Sequence, residues 1–596
     1  MRGVSAGILT GVALIALGGC GGELPDRPVE QVVWAEQGWT PEQRDFYHYT
    51  PQGTVIAPVA WFTALERPFS TDKLSDPAYL YQLGFLPAEE KSARNPLGLP
   101  VGFSVQDDRG PPDGKGLGPI VGFTCAACHT GQLSYQGKAL RVDGGPAGAN
   151  VTGFSSSFGI SLIETYYNPL KWRRFAKAVL GDKYEDEGAY TVLKGAFRAA
   201  AHKAVAQAWY GFTKKIYPTE EGFTRLDALG RISNTVFGDD LQEPANYRTA
   251  NAPVNYPHLW DIWKFDWVQY NGSVHQPMAR NVGEALGVRA RTNFVTVNGD
   301  PIPDPEKWDS SIPVHNLNNI EETLRSLTAP IWPGEIFGPY DGAKAEQGRT
   351  LFEANCSHCH APRPYQAGEN QKAEWAVTMV PLDRIGTDPT VAVNFAKEKL
   401  DASKLTGSAI PITPAQGLHL VTEGIKGRAY DLLGLDEQQR AAMDGFGREN
   451  LVRSPCGYKA RPLDGVWATP PYLHNGSVPN IYELLSPQAE RSARFWLGNY
   501  EYDPKTLGYS TAKFKGGFEL DTSVTGNANS GHLFSDQAGP GVIGKALTPD
   551  ERLAIIEYLK AMPDMPPAPL PPVAAGWDDN YPCKAQEDWW KPLIKG

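Results

Sequence analysis

Two five-residue segments with the same Cys-x-x-Cys-His pattern constrain this sequence more than any other feature. They are residues 125–129 (CAACH) and residues 356–360 (CSHCH). In c-type haem attachment, two thiols three residues apart bond to the haem vinyl groups. The histidine that follows faces the iron as its proximal ligand. With 7 Cys and 11 His in 596 residues, chance produces about 0.0015 such matches.

The pattern therefore predicts two covalently bound haem c groups. A zinc site would need a further pair of ligands at similar spacing, and a thioredoxin-like motif does not require the histidine. The attachment thiols and the proximal iron ligands are then Cys125, Cys128, Cys356 and Cys359, with His129 and His360.

The N-terminal residues have the pattern of an export signal. An apolar stretch over residues 8–17 is too short to span a bilayer, and Gly18, Gly19 and Cys20 follow it. This end resembles a bacterial lipoprotein signal in which Cys20 is lipidated, and an ordinary signal with an unrelated cysteine is the alternative. We expect an exported protein at the outer membrane, facing the periplasm or the cell surface, that contacts the membrane only through a lipid anchor.

The net charge limits the classes of partner. A formal charge of -11 at pH 7 argues against nucleic acid, which needs a clustered basic surface. It leaves room for docking of a basic protein.

Two cysteines remain, Cys456 and Cys583, each preceded by a proline in a loop-like context. In an oxidising compartment such cysteines usually pair, so we predict a disulfide between them. The alternative is two buried free thiols.

Motif positions and turn-rich stretches predict a mostly α fold with long loops, in keeping with 62 Gly and 50 Pro. Apolar spacing indicates a helix over residues 343–355, and Thr548 with Glu551 indicates the N-cap of another. Two such helices beside the motif are typical of a class I cytochrome c. The predicted segments are a signal peptide (1–19), a tether (20–45), an N-terminal haem domain enlarged by insertions (46–335), a C-terminal haem domain (336–565) and a Pro-rich tail (566–596).

Three further segments carry a family resemblance. They are residues 461–477 (RPLDGVWATPPYLHNGS), 265–273 (FDWVQYNGS) and 531–534 (GHLF). With the two haem motifs, the first resembles the superfamily of di-haem cytochrome c peroxidases and MauG-type enzymes. The other two resemble its rubber oxygenase branch, which cleaves cis-1,4-polyisoprene with dioxygen.

The resemblance implies roles for several residues. It implies that His532 is the distal ligand of the C-terminal haem, with His474 as the rival. It also implies a bridging calcium ion held by Thr469, Pro471 and, by loose alignment, Asn255, an ion that suits hard oxygen donors. The aromatic residue between the haems, a Trp in many relatives, falls at Tyr270, with Trp267 nearby as the alternative. Finally, Glu284 lies where peroxidases carry a distal acid–base catalyst.

Three functions remain open at this stage. The first is an oxygenase that binds dioxygen at the N-terminal haem, the active-site haem, and cleaves alkene bonds of polyisoprene or a related isoprenoid. The second is a peroxidase that reduces hydrogen peroxide with electrons delivered by a small cytochrome c through the C-terminal, electron-transfer haem. The third is a non-catalytic electron-transfer lipoprotein. Because a second axial ligand blocks a haem, the haem without one is the expected reaction centre.

Overall fold

The computed structural model describes residues 30–107, 118–362, 374–445, 447–562 and 565. The predicted signal peptide, Cys20, the Pro-rich tail and Cys583 lie outside these ranges. In the described part of the chain, no helix has both the length and the apolar character needed to cross a bilayer.

Helices are the main regular elements, and nineteen α-helices are numbered here in chain order. Up to the second motif they are α1 (Pro41–Tyr49), α2 (Val59–Ala64), α3 (Pro77–Gln82), α4 (Val151–Tyr167), α5 (Pro169–Leu180), α6 (Glu187–Lys214), α7 (Ala228–Ser233), α8 (Pro277–Gly287), α9 (Val314–Leu324), α10 (Gly334–Phe337) and α11 (Gly342–Asn355). From the second motif onward they are α12 (Ser357–His360), α13 (Leu382–Ile385), α14 (Thr390–Lys397), α15 (Ser403–Thr406), α16 (Pro414–Leu432), α17 (Glu437–Met443), α18 (Ile481–Leu484) and α19 (Pro549–Ala561).

The strands form small sheets of two or three strands within the described residues. Two three-stranded sheets, β1-β6-β5 and β2-β4-β3, lie around the first motif and were not predicted. The strands are β1 (Gln31–Trp34), β2 (Ala57–Pro58), β3 (Phe103–Gln106), β4 (Ile120–Phe123), β5 (Thr130–Tyr135), β6 (Lys138–Asp143), β7 (Arg225–Leu226), β8 (Val254–Asn255), β9 (Thr378–Pro381), β10 (Gly457–Ala460), β11 (Arg494–Leu497), β12 (Tyr502–Asp503), β13 (Gly508–Tyr509), β14 (Phe518–Asp521), β15 (Leu533–Phe534) and β16 (Val542–Gly544).

The N-terminal segment differs from the predicted tether over residues 20–45, because the chain is folded from Glu30 onward. Strand β1 pairs in parallel with β6, from Gln31 opposite Lys138 to Trp34 opposite Arg141. Helix α1 then begins at a capping box in which the Thr40 side chain accepts from the Gln43 backbone and the Gln43 side chain accepts from the Thr40 backbone. Hydrogen bonding to a sheet edge therefore fixes a segment whose sequence has no periodic signal.

One hydrophobic core runs through both predicted haem domains. Trp260, Trp332 and Trp467 all belong to it. The Trp332 and Trp467 rings meet edge to face with their centroids 5.2 Å apart. The predicted boundary at residues 335/336 therefore lies inside packed structure, and the two halves share buried apolar surface rather than a solvated linker.

Helices α11 and α19 confirm the two helices expected beside the second motif. The Thr548 side chain accepts from the Glu551 backbone, and the Glu551 side chain accepts from the Thr548 backbone, as in the predicted capping box. The helices touch at Gly348, where an added Cβ would lie 1.9 Å from the Ala554 carbonyl oxygen. Phe352 and Tyr558 pack across the same crossing with ring centroids 5.1 Å apart. The crossing fixes the end of α11, where the second motif begins.

Candidate functional site

The first motif follows a strand and is turned by a capped 3₁₀ helix. Strand β4 ends at Phe123, and the hydroxyl of Thr124 accepts from the Ala126 backbone at the start of the 3₁₀ turn Cys125–Ala127. The same hydroxyl donates to the carbonyl of His48 at 2.9 Å. This turn brings Cys125, Cys128 and His129, all half-buried, together within five residues.

The second motif follows a helix. The Cys356 backbone amide donates to the Phe352 carbonyl at the end of α11, and α12 (Ser357–His360) carries Cys359 and His360. Two different local structures therefore present the same set of two thiols and one imidazole.

The two motif histidines have the same hydrogen-bonding environment. His129 Nδ1 lies 2.7 Å from the Pro257 carbonyl oxygen, and His360 Nδ1 lies 2.8 Å from the Arg461 carbonyl oxygen. Since a carbonyl only accepts, each Nδ1 is the donor and each Nε2 keeps its lone pair for a metal. Burial lowers the pKa of His129 to about 4 and also lowers the pKa of His360, so both rings favour the neutral, metal-binding form.

A cavity of about 290 Å³ lies beside the second motif. Its wall includes Cys356, Cys359 and His360 together with apolar side chains such as Ile481, Leu485, Ile555 and Leu559. An apolar cavity next to two thiols and an imidazole fits a covalently attached haem macrocycle.

The same cavity has two cationic side chains, Lys459 and Arg461, that form no ion pair with the described residues. Burial lowers the pKa of Lys459 well below its usual value, and it lowers the pKa of Arg461 to about 10. Buried cations without carboxylates are costly, so their presence fits the carboxylate groups of a haem. The sequence suggested no role for either residue, although Arg461 begins the segment 461–477 that carries the family resemblance.

His532 faces His360 across this cavity, with 6.2 Å between the ring centroids. A metal ion bonded to one nitrogen of each ring would lie about 2 Å from each nitrogen, which puts the centroids about 6 Å apart. Burial lowers the pKa of His532 to about 3. Its backbone is held by a hydrogen bond to the Ile385 carbonyl at 2.8 Å and by Arg491 at 3.0 Å.

The rival histidine has a different environment. The His474 ring stacks on Tyr458 with centroids 4.1 Å apart and nearly parallel planes. The His474 carbonyl accepts from the Asn255 amide at 2.8 Å. The geometry therefore fits His532 as a second axial ligand and fits His474 as a packed residue of the cavity wall.

The first motif lacks such a partner. Its histidine has an edge-to-face contact with Tyr256 at 6.3 Å between centroids. All 11 histidines lie within the described residues, and none of the other ten has a ring contact with His129 like that between His532 and His360. The two candidate haem sites are therefore unequal.

Glu284 lies near the first motif, on helix α8. Its carboxylate accepts a hydrogen bond from the side-chain amide of Gln269 at 3.1 Å. Burial raises its pKa, against the opposing effect of Arg280. After burial, the charge of Glu284 is the largest electrostatic contribution that raises the pKa of the Cys125 thiol, and it also raises that of Cys128. A carboxyl group that can hold or release a proton is therefore close to the first motif.

The two candidates for the aromatic residue between the haems, Tyr270 and Trp267, have different surroundings. Tyr270 lines the cavity beside the second motif, where burial raises its pKa to about 12, and its carbonyl accepts from the Lys459 amide at 2.7 Å. Trp267 instead packs under the guanidinium of Arg453, 3.7 Å from the ring centroid, and is absent from the wall of that cavity.

The three residues implied for calcium come together at the cavity. The Asn255 side-chain amide donates to the Pro471 carbonyl at 2.7 Å, and the Asn255 side-chain oxygen is buried without a hydrogen-bond partner. Thr469 lines the same cavity, and its hydroxyl donates to the Val466 carbonyl. An unpaired buried oxygen fits a cation, but the Pro471 carbonyl is already an acceptor. Calcium therefore remains a prediction.

Of the two remaining cysteines, Cys456 is disulfide-bonded. Its expected partner, Cys583, lies outside the described residues, so that pairing remains a prediction.

Two turns that each present two thiols and a half-buried imidazole, the second of them beside an apolar cavity, are typical of a c-type cytochrome. Residues 457–496 match the family model described as RoxA-like, cytochrome c-like, a match that is consistent with covalently bound haem c. The chain belongs to the same family as uncharacterized protein y4iJ of Sinorhizobium fredii (strain NBRC 101917 / NGR234), with 42% identity over 589 residues that cover 91% of this chain and 95% of that protein. It is also similar to uncharacterized protein y4iM of the same strain, with 29% identity over 296 residues, 47% of this chain and 56% of that protein.

Proposed function

We propose that this protein is an exported, lipid-anchored di-haem oxidoreductase that uses dioxygen to cleave alkene bonds of polyisoprene or a related isoprenoid. In this reaction one carbon–carbon double bond breaks, and each of its carbons takes one oxygen atom of dioxygen as a carbonyl. The haem at His129 is the reaction centre, and the haem at His360 holds and passes electrons. A calcium ion at Asn255, Thr469 and Pro471 is part of the proposal.

The observation that carries the proposal is the difference between the two histidines. His360 faces His532 at 6.2 Å, whereas His129 has no facing histidine. A haem with two imidazole ligands suits electron transfer, and a haem with an open face suits binding of a small oxidant. When bound, the haem at His129 supplies the redox chemistry with that oxidant.

The chain itself supplies orientation and charge. The Pro257 and Arg461 carbonyls fix the two imidazole rings through Nδ1. The cations Lys459 and Arg461 counter the negative charge of haem carboxylates at the second site. Apolar side chains such as Ile481, Leu485 and Ile555 keep water away from the second site, which strengthens its polar contacts.

A further cavity of about 180 Å³ on the N-terminal half has an aromatic wall on one side and the charged side chains of Arg231, Asp239 and Arg289 elsewhere in its lining. Phe123, Phe154 and Phe158 line one wall of it. Phe123 lies two residues before Cys125 and belongs to the same hydrophobic cluster against which Cys128 packs. A hydrocarbon chain in this cavity would lie against aromatic rings that continue to the first motif.

The second candidate is a peroxidase that reduces hydrogen peroxide to two waters with two protons and two electrons from a small cytochrome c. The position of Glu284 favours it. This carboxyl group has a raised pKa near the first motif, and the neighbouring Arg280 is tied to Glu321. A carboxyl group placed in this way can carry a proton from one peroxide oxygen to the other.

The two candidates can be separated with one purified protein in two assays. In the first, the holoprotein receives polyisoprene or squalene with dioxygen, and carbonyl products are measured together with oxygen consumption. In the second, it receives hydrogen peroxide and reduced cytochrome c. We expect carbonyl products in the first assay and slow turnover in the second. Fast peroxide turnover without carbonyl products would overturn the oxygenase proposal.

A pair of variants tests whether the cavity of about 180 Å³ on the N-terminal half binds the alkene. Phe158→Asp places a charge in that cavity, and Phe69→Asp places the same charge at a side chain that is 65% exposed. We expect alkene cleavage to fall in the first variant and to be kept in the second, because a charge on the aromatic wall disfavours the contact of a hydrocarbon with that wall. Peroxide, being small and polar, should be turned over equally by both.

A further inference from the structure

Two backbone segments, one from each half of the chain, meet between the motif histidines. The first is residues 255–258 and the second is residues 459–461. Pro257 accepts the hydrogen bond of His129, and Arg461 accepts that of His360. Each segment therefore holds the imidazole of a different motif.

The side chain of Arg461 joins the two segments. Its Nη2 atom donates to the His258 carbonyl at 2.7 Å, one residue after Pro257. His129 and His360 are thus linked through Pro257, His258 and Arg461 by three hydrogen bonds of 2.7 to 2.8 Å and the intervening covalent bonds. Within the described residues, Arg461 contributes to this link with both its backbone and its side chain.

The link is rigid and charged. Burial lowers the pKa of Arg461, its Nε atom is buried without a hydrogen-bond partner, and no described carboxylate pairs with it. The positive charge of Arg461 is among the contributions that lower the pKa of His129, so its field reaches the imidazole of the other motif. The His258 ring is itself fixed by stacking on Trp260 at 4.1 Å between centroids.

We propose that Arg461 is a positioning residue that couples the two haem sites, because it holds the carbonyl acceptor of one proximal histidine and orients the segment that holds the other. This inference rests on the two-haem part of the proposed function and does not depend on the substrate. The orientation and basicity of a proximal imidazole are set by the acceptor of its other nitrogen. A change at Arg461 should therefore alter both haems, although its side chain contacts neither motif histidine.

The test is an anaerobic redox titration of the holoprotein without substrate, with each haem followed by its own spectrum. Haem staining first establishes that both haems are attached. Arg461→Met removes a positive charge close to both sites, which favours the more positive, oxidised iron. We expect the reduction potentials of both haems to fall. A fall at the His360 haem alone, or at neither, overturns the proposal.

Arg461→Lys covers the case in which the methionine variant does not fold. Lysine keeps the charge but lacks the planar fork of donors, so it does not reproduce the bond to His258. We expect the potential of the His129 haem to fall less than in the methionine variant and the spectrum of that haem to change. An unchanged spectrum and potential at the His129 haem would overturn the proposal.

Arg491→Met is the matched control. Arg491 is a buried arginine that holds the loop of His532, because it donates to the carbonyls of Gly531 at 2.9 Å and His532 at 3.0 Å. It has no hydrogen bond to residues 255–258. We expect its loss to shift the His360 haem alone. Equal shifts of the His129 haem in the Arg491 and Arg461 variants would overturn the assignment to Arg461.

Discussion

The two Cys-x-x-Cys-His segments differ in the secondary structure that precedes them, but each presents two thiols and one imidazole. The first follows strand β4 and turns in three residues under the Thr124 cap, next to small sheets. The second follows helix α11, which crosses α19 at Gly348. In both, the histidine Nδ1 atom meets a backbone carbonyl at 2.7 or 2.8 Å.

The difference lies on the side of each histidine that would face the metal. His360 meets His532, on a loop held by Ile385 and Arg491. No described histidine faces His129, and the charge of Glu284 acts instead on the two thiols of the first motif. Two matching attachment motifs with different surroundings would suit the proposed division between an electron-transfer site and a reaction site.

The largest expected effect is the loss of one haem when its thiols are removed. Cys356→Ser with Cys359→Ser should leave a single haem-stained equivalent per chain, because haem attachment needs the thiols. Cys125→Ser with Cys128→Ser should remove the other one. Haem content is measured by pyridine haemochrome and by haem staining of a denaturing gel.

Ser357→Ala is the control, since it changes a residue between the two cysteines without touching a thiol. It should keep both haems. Two haems in either cysteine double variant would show that the comparison of two attachment sites is wrong.

The second effect concerns the opposite face of the second site. His532→Ala should convert the His360 haem from low spin to high spin, since losing an imidazole leaves the iron with one strong ligand. His474→Ala removes a histidine that stacks on Tyr458, and it should leave the spin state unchanged. Electron paramagnetic resonance and visible spectra measure the outcome. A high-spin haem in the His474 variant alone would make His474 the second imidazole ligand and His532 the packed residue.

Sequence alone predicted the local features of these sites and missed the long-range ones. The Cys-x-x-Cys-His spacing and the Thr548 capping box are local patterns, so the motifs and α19 could be predicted. His532 was inferred only by resemblance, because nothing near it in sequence marks it as a partner of His360. The roles of Pro257, Lys459 and Arg461 were missed, since a backbone acceptor such as Arg461, 101 residues from His360, leaves no periodic signal in the sequence.

The folded segment after Glu30 was missed for a related reason. Strand β1 has four residues, and its parallel partner β6 lies more than 100 residues later. Sheet pairing at that separation depends on tertiary structure, so the short run Gln31–Trp34 could not be distinguished from a tether.

The third effect concerns the first site. If peroxide is the substrate, Glu284→Gln should lower its turnover by roughly 10²–10⁴-fold, the usual contribution of general acid–base catalysis. If an alkene and dioxygen are the substrates, the loss of alkene cleavage should be much less than tenfold. Glu322→Gln, whose side chain is 55% exposed, is the control and should change neither rate. A hundredfold loss of peroxidase activity, with no alkene cleavage in the parent protein, would reverse the order of the two functions.

The smallest effect is expected at the contact between α11 and α19. It tests whether this contact supports only the second site and leaves the first site unaffected. At Gly348 an added Cβ would lie 1.9 Å from the Ala554 carbonyl oxygen and 2.5 Å from its carbon, so the helices must separate. Overpacking of this kind costs about 1–3 kcal/mol. Gly348→Ala should lower the urea midpoint and broaden the spectrum of the His360 haem, with the His129 haem unchanged.

Gly427→Ala, in helix α16, is the matched control, because an added Cβ there has no atom within 4 Å. It should raise stability by roughly 0.5–1 kcal/mol, the ordinary gain from replacing glycine inside a helix. The expected changes in stability have opposite signs, so the two variants distinguish the effect of helix propensity from the effect of the close contact between α11 and α19. If both variants were stabilised, α11 and α19 would not be in contact at Gly348. If the Gly348 variant disturbed both haems equally, the crossing would support the shared core rather than the second site.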